Sequence, residues 1–144
     1  MSVELAAASY LLSSLSSVGK ILESIFKLRE YKITPTPEQF DEIERAASAN
    51  AEPVSVPDKI LLASTATEEI IDVLTGQIDK IKEQIKDTYR SRGMTEVNKN
   101  AQLDVSRRDF CWTLHQIAQH NSGKLPDHLQ NDWSLNQCSS YRFI

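Results

Sequence analysis

Two sets of residues in this chain have the types and spacing to do chemistry. The first is Arg108-Asp109-Phe110-Cys111-Trp112-Thr113-Leu114-His115, in which a permanent cation precedes a histidine by seven positions. On a helix that spacing is two turns, so both side chains share one face. The second set is Cys111, His115, His128 and Cys138, two thiols and two imidazoles with the donor types of a structural zinc site. Cys111 and His115 lie one turn apart, but the ten-residue step from His128 to Cys138 matches no knuckle. Cys111 as a nucleophile with His115 as its base lacks a third, orienting group, and a cysteine on an apolar helical face is ordinary core.

The octet from Arg108 to His115 resembles the active-site signature of HEPN-type helical ribonucleases. In that family an arginine, commonly followed by a polar residue, precedes a histidine with four to six residues between; here six intervene and Asp109 is the polar neighbour. The resemblance implies an all-α bundle of about this length, a site formed where two protomers meet, Arg108 on the scissile phosphate and His115 in proton transfer. The run through Arg107, Cys111, Leu114, Ile117, His120-Asn121 and Leu125-Pro126 also resembles a C-terminal module of bacterial conflict-system proteins.

The start of the chain offers a different chemistry. Leu5 to Gly19 carries no charge, and Ser9, Ser13, Ser14, Ser16, Ser17 and Ser24 lie opposite a stripe of Leu11, Leu15, Val18, Leu22 and Ile25. Serine-rich faces opposite bulky aliphatics belong to helices that insert into loosely packed lipid headgroups, and also to bundle helices whose neighbours come close. Ala6-Ala7-Ala8-Ser9-Tyr10-Leu11-Leu12 resembles the opening helix of HeLo-type cell-death domains, which implies action on membranes. Together the resemblances imply a setting in prokaryotic defence or cell-death signalling.

The elements that must position these residues are helical. The first stripe advances by 4, 3, 4 and 3 and predicts a helix over 3–31, ended by Thr34-Pro35-Thr36-Pro37. Thr36 and Gln39 form a capping box for a short acidic helix over Pro37–Ala49. Residues 50–57, with Pro53 and Pro57, read as an extended hinge. Over 58–92, Ile71, Leu74, Ile78, Ile81 and Ile85 form a heptad seam, with Ile60 and Thr67 upstream in the same phase and Gly93 as the stop. Residues 94–104 are polar and predict loop or frayed helix. Ser106 and Asp109 then open a helix with Phe110, Leu114, Ile117 and Ala118 on its apolar face, closed by Gly123. A last helix to about residue 137 turns Leu129, Trp133 and Leu135 inward. The tail, with Tyr141, Phe143 and Ile144, is too apolar for a free end and is expected to dock.

Composition bounds what these elements can do. The chain of 144 residues is 40% apolar and 25% charged, enough for one helical-bundle domain over 1–137 with a tail over 138–144. Two cysteines are too few for a disulfide-dense secreted scaffold. With an acidic, non-basic start, this places the chain in a reducing, cytoplasmic compartment. Four glycines and no phosphate loop, dinucleotide fingerprint, metalloprotease helix or serine elbow argue against cofactor enzymes, so no cofactor is expected. The helix after Pro126 carries acids and no Lys or Arg, the wrong sign for sequence-specific DNA binding. Residues 38–79 hold ten acids against two bases and residues 80–108 eight bases against four acids. That polarity fits either a solvated face with intrahelical pairs or head-to-tail association.

The expectation is therefore an all-α bundle acting as a non-enzymatic interaction or adaptor module. Its strip of Ile71, Leu74, Ile78, Ile81 and Ile85 completes its own core or meets a protein partner or second copy. A membrane-active effector and a metal-independent ribonuclease are the alternatives.

Overall fold

The structure, a computed structural model, describes residues 5–49, 54–121 and 123–143. The chain forms α1 (Leu5–Glu30), α2 (Pro37–Ala49), α3 (Val56–Thr65), α4 (Glu68–Arg90), α5 (Glu96–His120) and α6 (Asp127–Leu135), followed by a 3-10 turn at Cys138–Ser140. No strand occurs among the described residues, and the fold is an all-α bundle.

α1 is the centre of that bundle and packs against every other helix. Its stripe of Leu11, Leu15, Val18, Leu22 and Ile25 is fully buried, and Ala8, Leu12, Ile21, Ser16 and Gly19 extend the buried surface around the helix. A helix covered on several sides needs small residues where neighbours approach. Gly19 is one of these: a Cβ there would lie 2.7 Å from Asp132 Oδ1 and 3.0 Å from Phe110 Cζ. Of the serines, Ser16 serves the same packing. Ser16 is buried, Ser13 and Ser24 donate to the carbonyls of Tyr10 and Lys20, and Ser9, Ser13, Ser14, Ser17 and Ser24 are partly exposed.

α2 begins as its capping box requires. Gln39 N–H donates to Thr36 Oγ1 at 3.2 Å, and Thr36 N–H donates to Gln39 Oε1 at 2.9 Å. Phe40 then stacks on Tyr89 of α4 with centroids 5.8 Å apart. The acids of α2 face the bases of α4: Asp41 and Glu44 pair with Arg90, Glu44 with Lys86, and Glu38 with Arg92 just beyond α4. Part of the sequence's charge polarity is thus satisfied inside one chain.

The segment expected as a single helix over 58–92 is two helices. α3 starts at Val56, two residues earlier, with Ser55 as its cap, and ends at Thr65; Thr67 starts α4 by accepting the Ile70 N–H at 3.2 Å. Ile60 is therefore off the seam and about half exposed. The five seam residues Ile71, Leu74, Ile78, Ile81 and Ile85 are 1–3% exposed and face α1 and α5. α4 stops at Arg90 with Ser91 extended, before Gly93 is reached.

Residues 96–104, expected as loop or frayed helix, are the first turns of α5. Thr95 caps them by accepting the Asn98 N–H, and Leu103 is buried against the core. Ser106 is accordingly not a helix start but a buried mid-helix residue. Gly123 does close α5, with φ of 84° and its N–H on the Ala118 carbonyl at 2.7 Å. α6 ends at Leu135, two residues short of expectation, and Leu135 is 53% exposed, whereas Leu129 is buried and Trp133 packs on the core. The expected hinge lies partly outside the described residues, at 50–53, as does Ile144.

Candidate functional site

Cys111 and Cys138, both 0% exposed, form a disulfide with Cα atoms 5.2 Å apart. This corrects the zinc set of Cys111, His115, His128 and Cys138, because disulfide sulfurs have no thiolate to offer a metal. No group of three or more His, Cys, Asp or Glu side chains is placed to hold a metal ion among the described residues. A structural disulfide also belongs to oxidising compartments, which sets it against the reducing one expected from the cysteine count.

His128 is used elsewhere. Its Nδ1 lies 2.9 Å from Asp58 Oδ2, joining α6 to α3 across 70 residues, with both side chains largely buried. Burial pushes the Asp58 carboxyl up, yet the hydrogen bonds from His128 and Ser55 together outweigh it and hold the pKa below the ordinary value. Nearby, the Thr65 hydroxyl lies 2.6 Å from Asn121 Oδ1, tying the end of α3 to the end of α5.

Arg108 and His115 lie on one α5 face but in different surroundings. Arg108 is exposed, while His115 stacks on Trp112 and Phe143 with centroids 5.7 and 5.4 Å away. His115 Nε2 is buried without a hydrogen-bond partner among the described residues. The tail docks here as expected. Phe143 meets Trp112 at 5.2 Å, Tyr141 stacks on Phe143, and Arg107 donates to the Tyr141 hydroxyl while lying 3.9 Å over the Phe26 ring.

The membrane stripe Leu11, Leu15, Val18, Leu22 and Ile25 and the seam Ile71 to Ile85 both face the chain's own core. α1 is long and apolar enough to cross a membrane, a property shared with the core helices of soluble proteins.

Surface hollows occur at several places, among them one of about 440 Å³ lined by Phe26, Arg29, Asp104, Arg107 and Gln137, and others lie along the α4–α5 groove. Toward one end, a hollow of about 270 Å³ is lined by Glu69, Ile70, Val73, Leu74, Gln116 and His120. Farther along, one of about 200 Å³ is lined by Gln77, Lys80, Ile81, Gln84, Asp109, Trp112 and Thr113. Gln77 and Thr113 bridge the groove at 3.3 Å. Asp109 and Trp112 also line a third hollow of about 430 Å³ with Arg108, Arg142 and Phe143. Burial pushes the Asp109 carboxyl up, and Arg108 and Lys80 pull it the other way. Trp112, Arg142 and the outer face of α4 were not singled out as site residues in the sequence. Ile70, Val73, Gln77, Lys80 and Gln84 recur at the same 3–4 spacing as the seam, but polar residues break the pattern.

Comparison with protein-family models, curated proteins and solved structures gives no match for this chain. The class the geometry defines is a disulfide-linked all-α bundle with a surface groove between two long helices.

Proposed function

We propose that the chain is a non-enzymatic helical interaction module, an adaptor whose partner surface is the outer stripe of α4 beside α5, and that this stripe pairs with a second copy of the chain. The observation that carries the reading is the composition of the groove. Its α4 edge holds Ile70 and the 59%-exposed Val73 near Glu69, then Gln77 and Gln84 around Lys80. An α4 edge with Glu69 beside apolar residues toward one end and Lys80 between glutamines toward the other brings Glu69 and Lys80 together when two copies run antiparallel, as a two-fold interface requires. Glu69 of one copy then faces Lys80 of the other. The seam beneath holds α4 rigid, so little order has to be imposed on pairing. A role in prokaryotic defence or cell-death signalling belongs to the same proposal and rests on the resemblances of the first helix and of the Arg108–His115 octet.

Two substitutions on α4 separate surface from core. Val73→Asp is expected to shift an assembly to monomer with unchanged helicity and melting temperature, whereas Ile78→Asp, in the core, is expected to unfold the chain. An assembly that survives Val73→Asp refutes the stripe.

A further inference from the structure

The hollow between α5 and the docked tail has a chemistry of its own. Arg108 and Arg142 line it, and neither has an ion pair within 4 Å or a hydrogen bond among the described residues. The other arginines are engaged: Arg29 with Asp104, Arg90 with Asp41, Arg92 with Glu38, Arg45 with the Asp41 carbonyl, and Arg107 with Phe26 and Tyr141. Arg108 has the adjacent Asp109 carboxylate as a charged neighbour, and two guanidinium groups at one hollow still leave a net positive charge for an anion, with planar forks that suit phosphate oxygens.

The walls add two further requirements. Trp112 and Phe143, with ring centroids 5.2 Å apart and planes at 56°, offer aromatic surface to a flat ring. Asp109 places a partly desolvated carboxylate in the lining, and such a group gains most from a hydrogen-bond donor. Inorganic phosphate meets only the first requirement, and an aryl phosphate meets the first two. A nucleotide meets all three, through its phosphate, its base and its ribose hydroxyls or base N–H groups. The volume of about 430 Å³ also lies in the range of small-molecule sites, roughly 300–1,000 Å³.

We infer that the hollow bounded by Arg108, Asp109, Trp112, Arg142 and Phe143 binds a nucleoside monophosphate group, either free or as part of a single strand. Arg108 and Arg142 hold the phosphate, the two rings pack on the base, and Asp109 accepts from the sugar or base. The site does not depend on pairing of two chains.

Calorimetric titration of the purified chain with AMP, GMP, CMP and UMP, with adenosine and inorganic phosphate as controls, tests this. At least one nucleotide is expected to bind with Kd below about 1 mM and about tenfold more tightly than either control. Arg108→Gln and Arg142→Gln are each expected to weaken it about tenfold, with unchanged circular dichroism and melting temperature and with adenosine binding retained. A pentameric oligoadenylate that binds more tightly than AMP, with the same dependence on Arg142, assigns the nucleotide to a strand; equal or weaker binding assigns it to a free ligand. If none of the four nucleotides exceeds phosphate, or if neither arginine variant alters binding, the inference is overturned. Solution mass reads chain pairing separately, so either result stands without the other.

Discussion

Cys111 on α5 and Cys138 after α6 are covalently joined across 27 positions, so α6 and the turn before it sit in a closed ring anchored to the core. The bond fixes the point from which the tail returns to pack Phe143 on Trp112 and His115. Closing a loop of this length restricts the unfolded chain by about 3.5 kcal/mol on the chain-entropy account. The variant with both Cys111→Ala and Cys138→Ala is expected to lose roughly 2–4 kcal/mol in urea denaturation. A loss below about 0.5 kcal/mol would show that the native packing holds this segment without the bond.

The Asp58–His128 contact predicts a pH dependence. The folded-state pKa of Asp58 is depressed below its ordinary 3.8. Its contribution is therefore fully present above that value and is lost as pH falls through the lower folded-state value. Asp58→Asn is expected to flatten the acid limb of a stability-against-pH curve below about pH 4. It is also expected to lower stability by about 1–3 kcal/mol at neutral pH, because the ring nitrogen loses its carboxylate. An acid limb identical to that of the parent would remove Asp58 from the account.

Gly19→Ala separates helix propensity from packing. In an open helix the change is favourable by about 1 kcal/mol. Here the new methyl meets Asp132 and Phe110 at 2.7–3.0 Å, and overpacking of this kind costs about 1–3 kcal/mol. The prediction is a net loss of about 1 kcal/mol or more, read as a lower urea midpoint at unchanged slope. A stabilised variant would mean that α6 moves away freely.

Tyr89 is 1% exposed, its hydroxyl has no hydrogen-bond partner among the described residues, and burial pushes its pKa up to about 12. Because removing an unpaired buried hydroxyl removes only a desolvation penalty, Tyr89→Phe is expected to leave stability unchanged or raise it by up to about 1 kcal/mol. A clear loss would reveal a partner for that oxygen.

The physical reason some elements were legible and others were not is visible at particular residues. The capping box of Thr36 and Gln39 and the seam from Ile71 to Ile85 are local patterns, and each side chain does what its spacing requires. The break at Ala66 was hidden because Thr67 fits the phase of the seam while acting as a cap, and a cap competes with a stripe on equal terms in a linear reading. The start of α5 was hidden for the opposite reason: its first turns are solvated, with Leu103 as the buried residue, so no stripe marks them. Tertiary pairings such as Cys111 with Cys138 and His128 with Asp58 depend on how α3, α5 and α6 meet. The same is true of the surface. The residues beside the buried seam repeat its 3–4 spacing but mix polar with apolar side chains, so the outer stripe of α4 emerged once α5 was in place beside it.

The central claim is that the outer stripe of α4 pairs two chains, and the solution mass of the purified chain by light scattering, at two concentrations about tenfold apart, tests it most directly. The account predicts a mass of twice 16.3 kDa at the higher concentration, reduced to the single-chain value by Val73→Asp. A parent chain that stays at the single-chain mass at both concentrations would contradict it.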